Sequence, residues 1–511
     1  MSVERDAIVI GSGFGGTMVA HELVAAGLDV LMLERGDWVE RGPHNWEPSG
    51  SVDLTSFYSW EAPYRVERGG NGPFVGAYSC VGGPSVFFGG VAMRFREADF
   101  VLDHDIVGDS GAAWPFGYDE LEPWYARAEQ LLGVSGETDV DPTEPRRTGP
   151  FPQPPSELSD TSQRITHAAS RLGLSPFRLP LAINYTDNGR PSCVACTTCD
   201  TFACAIGAKN DLAGGLIPDL LGRGMELRPN TVATRLVHER GRVQEVEILD
   251  KTTGRRERVR AAKVFVAAGA LGTPHLLLAS SIEEANPAGD LVGRYLMRHC
   301  NAIVFGVFPG RPNPRRQFHK QVGIHDFYFG HPSVRNPLGK LGSIQQLHTP
   351  PAELVKEELP RALGPFVEPV VEHLTGLLVM AEDQPQFDNH VRVDWNERDA
   401  FGLPQLAIEH RYTARDVRAR SALVRQCKRI FRTAGAPVSY VHRIKTFSHA
   451  VGTVRFGDDP SQSVLDPDCR YRGVENLHVV DASFMPTSAG LNPSLTISAN
   501  ALRVGAAAAR R

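Results

Sequence analysis

Three groups of residues in this chain have the types and spacing to do chemistry: a glycine run with an acid behind it, a histidine before a small-residue turn, and four crowded cysteines. Gly11, Gly13 and Gly16 follow the apolar run 7–10, and Glu34 closes a second apolar run at 30–33. In that order Gly11 permits a tight strand-to-helix turn, Gly13 lets backbone amides approach a pyrophosphate, and Gly16 lets the helix pack close on a sheet. Glu34 can accept hydrogen bonds from both hydroxyls of a ribose and would repel a 2′-phosphate, which points to FAD or NAD rather than NADP. His449 stands before Ala450, Val451 and Gly452. An imidazole whose unperturbed pKa is about 6.5 is a ready general base near neutral pH. One histidine among 17 is by itself ordinary. What raises His449 is Asp481 in the same C-terminal block, at the end of an apolar run, where open parallel sheets bind their ligands. Cys193, Cys196, Cys199 and Cys204 lie within one loop's reach of each other. Such thiolates can converge on zinc or an iron–sulfur cluster; free thiols or a disulfide are the plain alternative.

The elements that must position these groups can be read from pattern. Residues 5–34 form a strand–helix–strand unit. Residues 37–75 are rich in Trp, Tyr, Pro and Gly and read as an extended arm over a ligand, with Tyr58, Trp60, Tyr64 and Phe74 available to stack on a sugar face or to pack. Gly82, Gly83, Gly89 and Gly90 bracket an apolar core, which means that something comes very close to backbone there. Helices are expected at about 118–132, 162–172 and 414–434, and strand texture returns between 226 and 269. Gly269, Gly272 and Pro274 open the helix after it. Between 301 and 444 alternating strands suggest an antiparallel sheet carrying helices. Arg311, Arg315, Arg316 and Lys320 read first as a solvated loop and second as an anion or partner site. Asn492 and Pro493 start the terminal helix. Asn there can simply cap the helix, or the helix N-terminus can face a flavin pyrimidine ring and stabilise its anion; both can hold together. The expected organisation is a nucleotide-binding domain assembled from 1–160, 205–300 and 445–511, a cysteine-containing connection at 161–204, and a second domain at 301–444.

Length and composition bound the rest. At 511 residues, with 42% hydrophobic and 22% charged residues, the chain reads as a folded protein of two joined domains. A net charge of -5 and no basic run with interleaved aromatics argue against nucleic acid. No basic-then-apolar leader and no apolar run of bilayer length are visible, so the expectation is a cytoplasmic protein without a membrane span. Cys80, Cys300, Cys427 and Cys469 are scattered and expected to be buried thiols.

Taken in order, the N-terminal fingerprint, Gly82–Gly83 and Gly89–Gly90, Gly269 to Pro274, Val292 to Arg294, Ala381 to Pro385 with Asn389 and Val391, then His449, Asp481 to Ser483 and Asn492–Pro493 form a set. The sequence resembles the glucose–methanol–choline (GMC) flavin oxidoreductases over nearly its whole length. The resemblance implies an α/β fold: a Rossmann-like FAD-binding domain with a second domain built on an antiparallel sheet with helices. It also implies FAD rather than NAD, and oxidation of an alcohol, such as a sugar, polyol or glycoside hydroxyl, held between the flavin and a His–Asn pair. His449 matches the base and Asn492 its partner. Cofactor contacts carry over as Gly11, Gly13, Phe14, Gly15, Gly16 and Glu34 for the ADP half and the backbone of Val232 for adenine. Gly82, Gly83, Gly89, Gly90 and Gly269 lie along the cofactor, and Asp481, Ala482, Asn492 and Pro493 near the ribityl and flavin end. Phe87 stands where covalent members carry histidine, which implies a dissociable FAD. Some relatives bind an iron–sulfur cluster near a segment similar to 204–209, though with other cysteine spacing. The alternative is therefore an electron-transfer subunit passing electrons through a cluster to a protein acceptor, instead of a flavoenzyme reoxidised by O2 or a redox partner.

Overall fold

The computed structural model describes residues 4–52, 64–69, 78–332, 338–357 and 364–510. The strand Glu4–Ile10 runs into the helix Phe14–Ala25, and the chain returns as the strand Val30–Leu33. All four residues of the second strand are buried, as a parallel strand covered on both faces requires. Parallel pairing continues on both sides, with Glu226–Arg228 beside Val30–Leu33 and Arg256–Val266 beside Glu4–Ile10. The last of these strands is long enough to serve two partners. Its first half pairs antiparallel with Arg242–Asp250, which pairs in turn with Thr231–Glu239, and its final residues pair parallel with Leu477–Val479. A seven-stranded sheet results, with the C-terminal strand returning to the N-terminal unit. The terminal helix Ser494–Ala509 packs on Phe14–Ala25 and on Tyr118–Leu131.

A second sheet of six strands is antiparallel throughout, in the order Val438–Arg443, Cys300–Val307, Leu374–Ala381, Gly342–Leu347, Val322–Ile324, Phe177–Arg178. The helix Ala414–Ala434 covers it, with Ala419, Leu423, Cys427, Ile430 and Phe431 buried at helical spacing, and Asp160–Ser170 packs alongside. A Thr413–Asp416 capping box starts the long helix and Gly435, at φ 95°, ends it. A small third sheet joins Arg65–Arg68, His390–Arg398 and Pro404–Glu409. Among the described residues no helix is long and apolar enough to cross a membrane.

Tyr64 is buried, with its hydroxyl accepting from Arg35 Nη1 at 3.3 Å and its ring edge-on to His275. It is a packing residue. Tyr58, Trp60 and Phe74 lie outside the described residues. Arg311 and Arg316 both pair with Glu372, and Arg315 lies near Asp160, so these three form an exposed, acid-paired loop. Lys320 differs: it is buried on Asp200.

Candidate active site

The nucleotide end is built by close backbone approach. Gly11 has φ 105°, and a Cβ there would collide with the carbonyl oxygen of Ala267. A Cβ on Gly15 would strike the carbonyl of Val480, and one on Gly16 the carbonyl of Gly11, so both glycines are required for the helix to dock. Gly13 is different, since a Cβ there meets no atom within 4 Å. Open space therefore lies over the start of a 12-residue helix that has no side-chain cap and no acid in its first turn. Its unpaired amides and positive dipole end suit a pyrophosphate. Glu34 is buried and accepts from Ser12 N at 3.0 Å, Ser12 Oγ at 2.6 Å and Gly36 N at 2.9 Å. An ionised carboxylate has about four acceptor sites, so capacity remains for a ribose hydroxyl. The backbone of Thr231 donates to the Glu34 carbonyl at 2.8 Å, which brings Val232 next to the end of the strand Val30–Leu33. Gly269 is again open around its Cβ direction. These features fit an ADP-containing cofactor.

Ser12 was not singled out in the sequence, yet it joins two parts of the site. Its hydroxyl accepts from Gly82 N at 2.9 Å while donating to Glu34. Gly82 and Gly83, at φ 86° and 55°, form the turn that lies on Gly13. The glycine density of 82–90 is explained by other protein atoms as well: a Cβ on Gly82 would crowd Ala213 N, one on Gly89 the Lys320 ammonium, and one on Gly90 Ile183. Phe87 is buried against Tyr78, and Phe88 meets Phe14 edge-on.

The cysteine stretch wraps this segment. Thr201 N donates to Phe87 O at 2.8 Å, and the buried Lys209 ammonium donates to three carbonyls, Phe88 at 3.0 Å, Cys199 at 2.9 Å and Phe202 at 2.7 Å. Of the two readings of Cys193, Cys196, Cys199 and Cys204, a metal site or plain thiols, the arrangement is that of four free cysteines. Among the described residues no group of three or more His, Cys, Asp or Glu side chains is arranged to hold a metal ion. Cys193 accepts from Ala195 N at 3.4 Å and Cys196 from Thr198 Oγ1 at 3.8 Å, so each sulfur is turned to its own local backbone or hydroxyl. Burial pushes the Cys193 thiol up to about 11 and raises Cys199 also. The lysine, three carbonyls deep, is the structural reason for a tight loop here.

The catalytic end is set by strand register. Met297 and Val451 exchange backbone hydrogen bonds at 3.0 and 2.9 Å in an antiparallel bridge. Two residues outward on each side, that register places His299 opposite His449, and their Nδ1 atoms are 3.2 Å apart. Gly452, at φ 95°, turns the chain so that its amide reaches Ala482 O at 3.1 Å, and Val454 N reaches Ser483 O at 2.9 Å. The His449 segment is thereby tied to the strand end at Asp481. Asp481 is buried and accepts from Gly269 N at 3.0 Å, Ser483 N at 2.9 Å, and the hydroxyls of Thr273 and Ser483. Its carboxylate knits the turn after Val266 to the C-terminal strand, beneath Gly15. Burial, and secondarily the field of His299, pushes His449 down to about 3, so the imidazole is uncharged at neutral pH.

Asn492 is half-buried, and the terminal helix begins after it, with Pro493 as N-cap and no side-chain cap. The amide does not cap the helix; its Oδ1 accepts from Gln345 Nε2 at 2.7 Å. Gln345 and Ser343 point the same way from the strand Gly342–Leu347, and Ser343 Oγ donates to Gly490 O at 2.6 Å. The second sheet therefore orients Asn492 so that its NH2 group is left to donate. The loop that precedes Asn492 reaches the ring opposite His449: His299 Nε2 lies 3.0 Å from Ser488 O, and Ser488 Oγ donates to Asp383 at 2.8 Å.

Family models described as GMC oxidoreductase match residues 5–301 and 385–501. The chain belongs to this family. It is 32% identical to paromamine 6′-oxidase of Streptomyces fradiae over 99% of this chain and 91% of that one. It is 26% identical to the fructose dehydrogenase large subunit of Gluconobacter japonicus, covering 98% and 97% respectively. Among solved structures, a pyridoxine 4-oxidase from Mesorbium loti superposes with a TM-score of 0.67 at 21% identity, covering 98% of each chain. As a member of the family the protein is an FAD-dependent oxidoreductase that converts an alcohol to a carbonyl. Gly11, Gly13, the first turn of the helix Phe14–Ala25 and Glu34 are the residues that would hold the ADP half of FAD.

Proposed function

We propose that this protein oxidises a hydroxyl of a sugar or glycoside, with an amino-sugar alcohol as the first candidate, using His449 as base and Asn492 as hydrogen-bond partner of the same oxygen. FAD, when bound, supplies the two-electron acceptor that takes the substrate hydride at N5. His449 takes the hydroxyl proton as the carbinol C–H bond breaks and the C=O double bond forms. Asn492, its oxygen engaged by Gln345, donates through its NH2 group to the substrate oxygen. O2 or a redox partner would be the final electron acceptor. The observation that carries this reading is an uncharged imidazole at His449 together with an amide of fixed orientation at Asn492, whose loop also holds the ring opposite His449. The substrate class is supported by the names of the relatives, which act on paromamine, hydroxyparomomycin and fructose.

The test is anaerobic mixing of the yellow protein with a panel of sugars, polyols and aminoglycosides, followed by flavin bleaching. One or more of these should bleach the wild type. A positioned general base contributes roughly 10²–10⁴-fold, so His449→Ala should retain flavin and slow its reduction by about that factor. Undiminished reduction in the variant would refute the role of His449.

A further inference from the structure

The ring opposite His449 is not an ordinary core histidine. His299 is fully buried and held in a left-handed backbone conformation, φ 60°, which a non-glycine residue adopts only when its surroundings enforce it. Those surroundings are all present. Asp383, buried, accepts from the backbone amides of Arg298 at 2.9 Å and His299 at 3.1 Å. Tyr412 Oη donates to the His299 carbonyl at 2.7 Å. The ring is fixed at its far end by Ser488 O, 3.0 Å from Nε2.

A carbonyl oxygen can only accept, so the contact with Ser488 requires a hydrogen on His299 Nε2. A neutral imidazole then has a lone pair at Nδ1. Burial lowers the pKa of His299 and keeps it neutral, although Asp383 acts in the opposite sense; His410 and Arg298 also face Asp383 from neighbouring segments. Two lone pairs cannot share a 3.2 Å contact favourably, so a neutral His449 must present Nδ1–H to that lone pair.

We propose that His299 is a positioning residue that fixes the tautomer of His449, placing its proton on Nδ1 and leaving Nε2 as the basic atom. The inference rests on the reading of His449 as base. When the substrate proton arrives at Nε2, His449 becomes an imidazolium whose Nδ1–H remains donated to His299, a charge-assisted bond. The chain of donors ends at the Ser488 carbonyl, which accepts no proton, so the proton taken from the substrate stays within the His449–His299 pair while the C–H bond breaks. Nothing is oxidised or reduced in this arrangement.

The experiment combines two readouts on FAD-loaded protein, wild type, His299→Leu and His299→Asn. Long-range proton–nitrogen NMR of ¹⁵N-histidine-labelled protein, with His449→Ala and His299→Asn used for assignment, reports which ring nitrogen of His449 carries the hydrogen. Wild type should show Nδ1–H and a bare Nε2. His299→Leu, which removes the acceptor, should lose that single tautomer and lower the limiting rate of flavin reduction by about 10²-fold with little change in the substrate concentration at half-saturation. His299→Asn, which supplies an amide oxygen as acceptor, should recover part of the rate and the Nδ1–H signal. A wild-type spectrum with hydrogen on Nε2 of His449 overturns the proposal, as does a His299→Leu protein of unchanged rate. If His299→Leu fails to fold, the wild-type spectrum and the His299→Asn rate still decide. Should His449→Ala leave reduction undiminished, it is the base assignment that fails; a slow His449→Ala beside a wild-type-like His299→Leu rejects the role of His299 alone.

Discussion

At residue scale, the proposed chemistry depends on atoms whose partners lie far off in sequence. His449 was singled out because a histidine before a small-residue turn stands in an ordered set of motifs, and Asn492 because it precedes the proline that opens the last helix. Their partners were not. His299 lies 150 residues from His449 and Gln345 lies 147 from Asn492, and neither pairing has a local signature. A polar Gln345 inside an otherwise buried strand, or a His at a left-handed position, becomes informative only once strand register is known. The ambiguity at Asn492 resolved against capping because Gln345 competes for its oxygen. Phe87 carries its own consequence. A phenyl ring offers no nucleophile for attachment to the flavin, so acid precipitation of the protein should leave the yellow chromophore in the supernatant; colour that stays in the washed pellet would contradict this.

At the scale of elements, the long helices were the best read. The helix expected at about 414–434 is Ala414–Ala434 in the structure, where its apolar stripe, its Thr413–Asp416 start and its Gly435 stop all agree. The cysteine loop left a metal site and plain thiols both open, because spacing is a one-dimensional signal and convergence is a three-dimensional one. What holds the loop is Lys209, whose charge is satisfied by three backbone carbonyls. The glycines of the first turn separate two functions that the sequence pattern merges. Gly16→Ala should fail to give stable protein, because its methyl would occupy the carbonyl of Gly11. Gly13→Ala should fold with a thermal midpoint close to wild type and bind FAD at least about tenfold more weakly, because its methyl meets only the space over the helix start. Thermal melts of the apoproteins and FAD titration measure the two effects; equal losses of stability in both variants would reject the distinction.

For the whole molecule, burial of neutral histidines sets the response to acid. His275, His299, His319, His325, His348, His410 and His449 all have their pKa lowered, burial being the first cause in each, with His319 brought to about 4 and His449 to about 3. A group depressed in the folded state contributes stability that is complete above its unfolded pKa of about 6.5 and is lost as pH falls toward the folded value. Asp416 and Glu382, each raised to about 7 mainly by burial, act oppositely, as do Glu144, Glu283 and Asp481, also raised by burial: their contribution is present at low pH and lost as pH rises through the folded pKa. Seven histidines outweigh five carboxyls, so the thermal midpoint should drop steadily from pH 6.5 to pH 4.5. A midpoint constant or rising over that range would show that the histidines are not held neutral.

The bridge between Met297 and Val451 has a further consequence. It joins the lead-in to one sheet to a segment anchored on the other, so the basic nitrogen proposed at His449 would exist in usable form only where the two halves meet. A molecule whose flavin-holding half is intact while the neighbouring sheet has come loose would remain coloured but inert, and the enzyme's turnover is thereby a report on its own assembly.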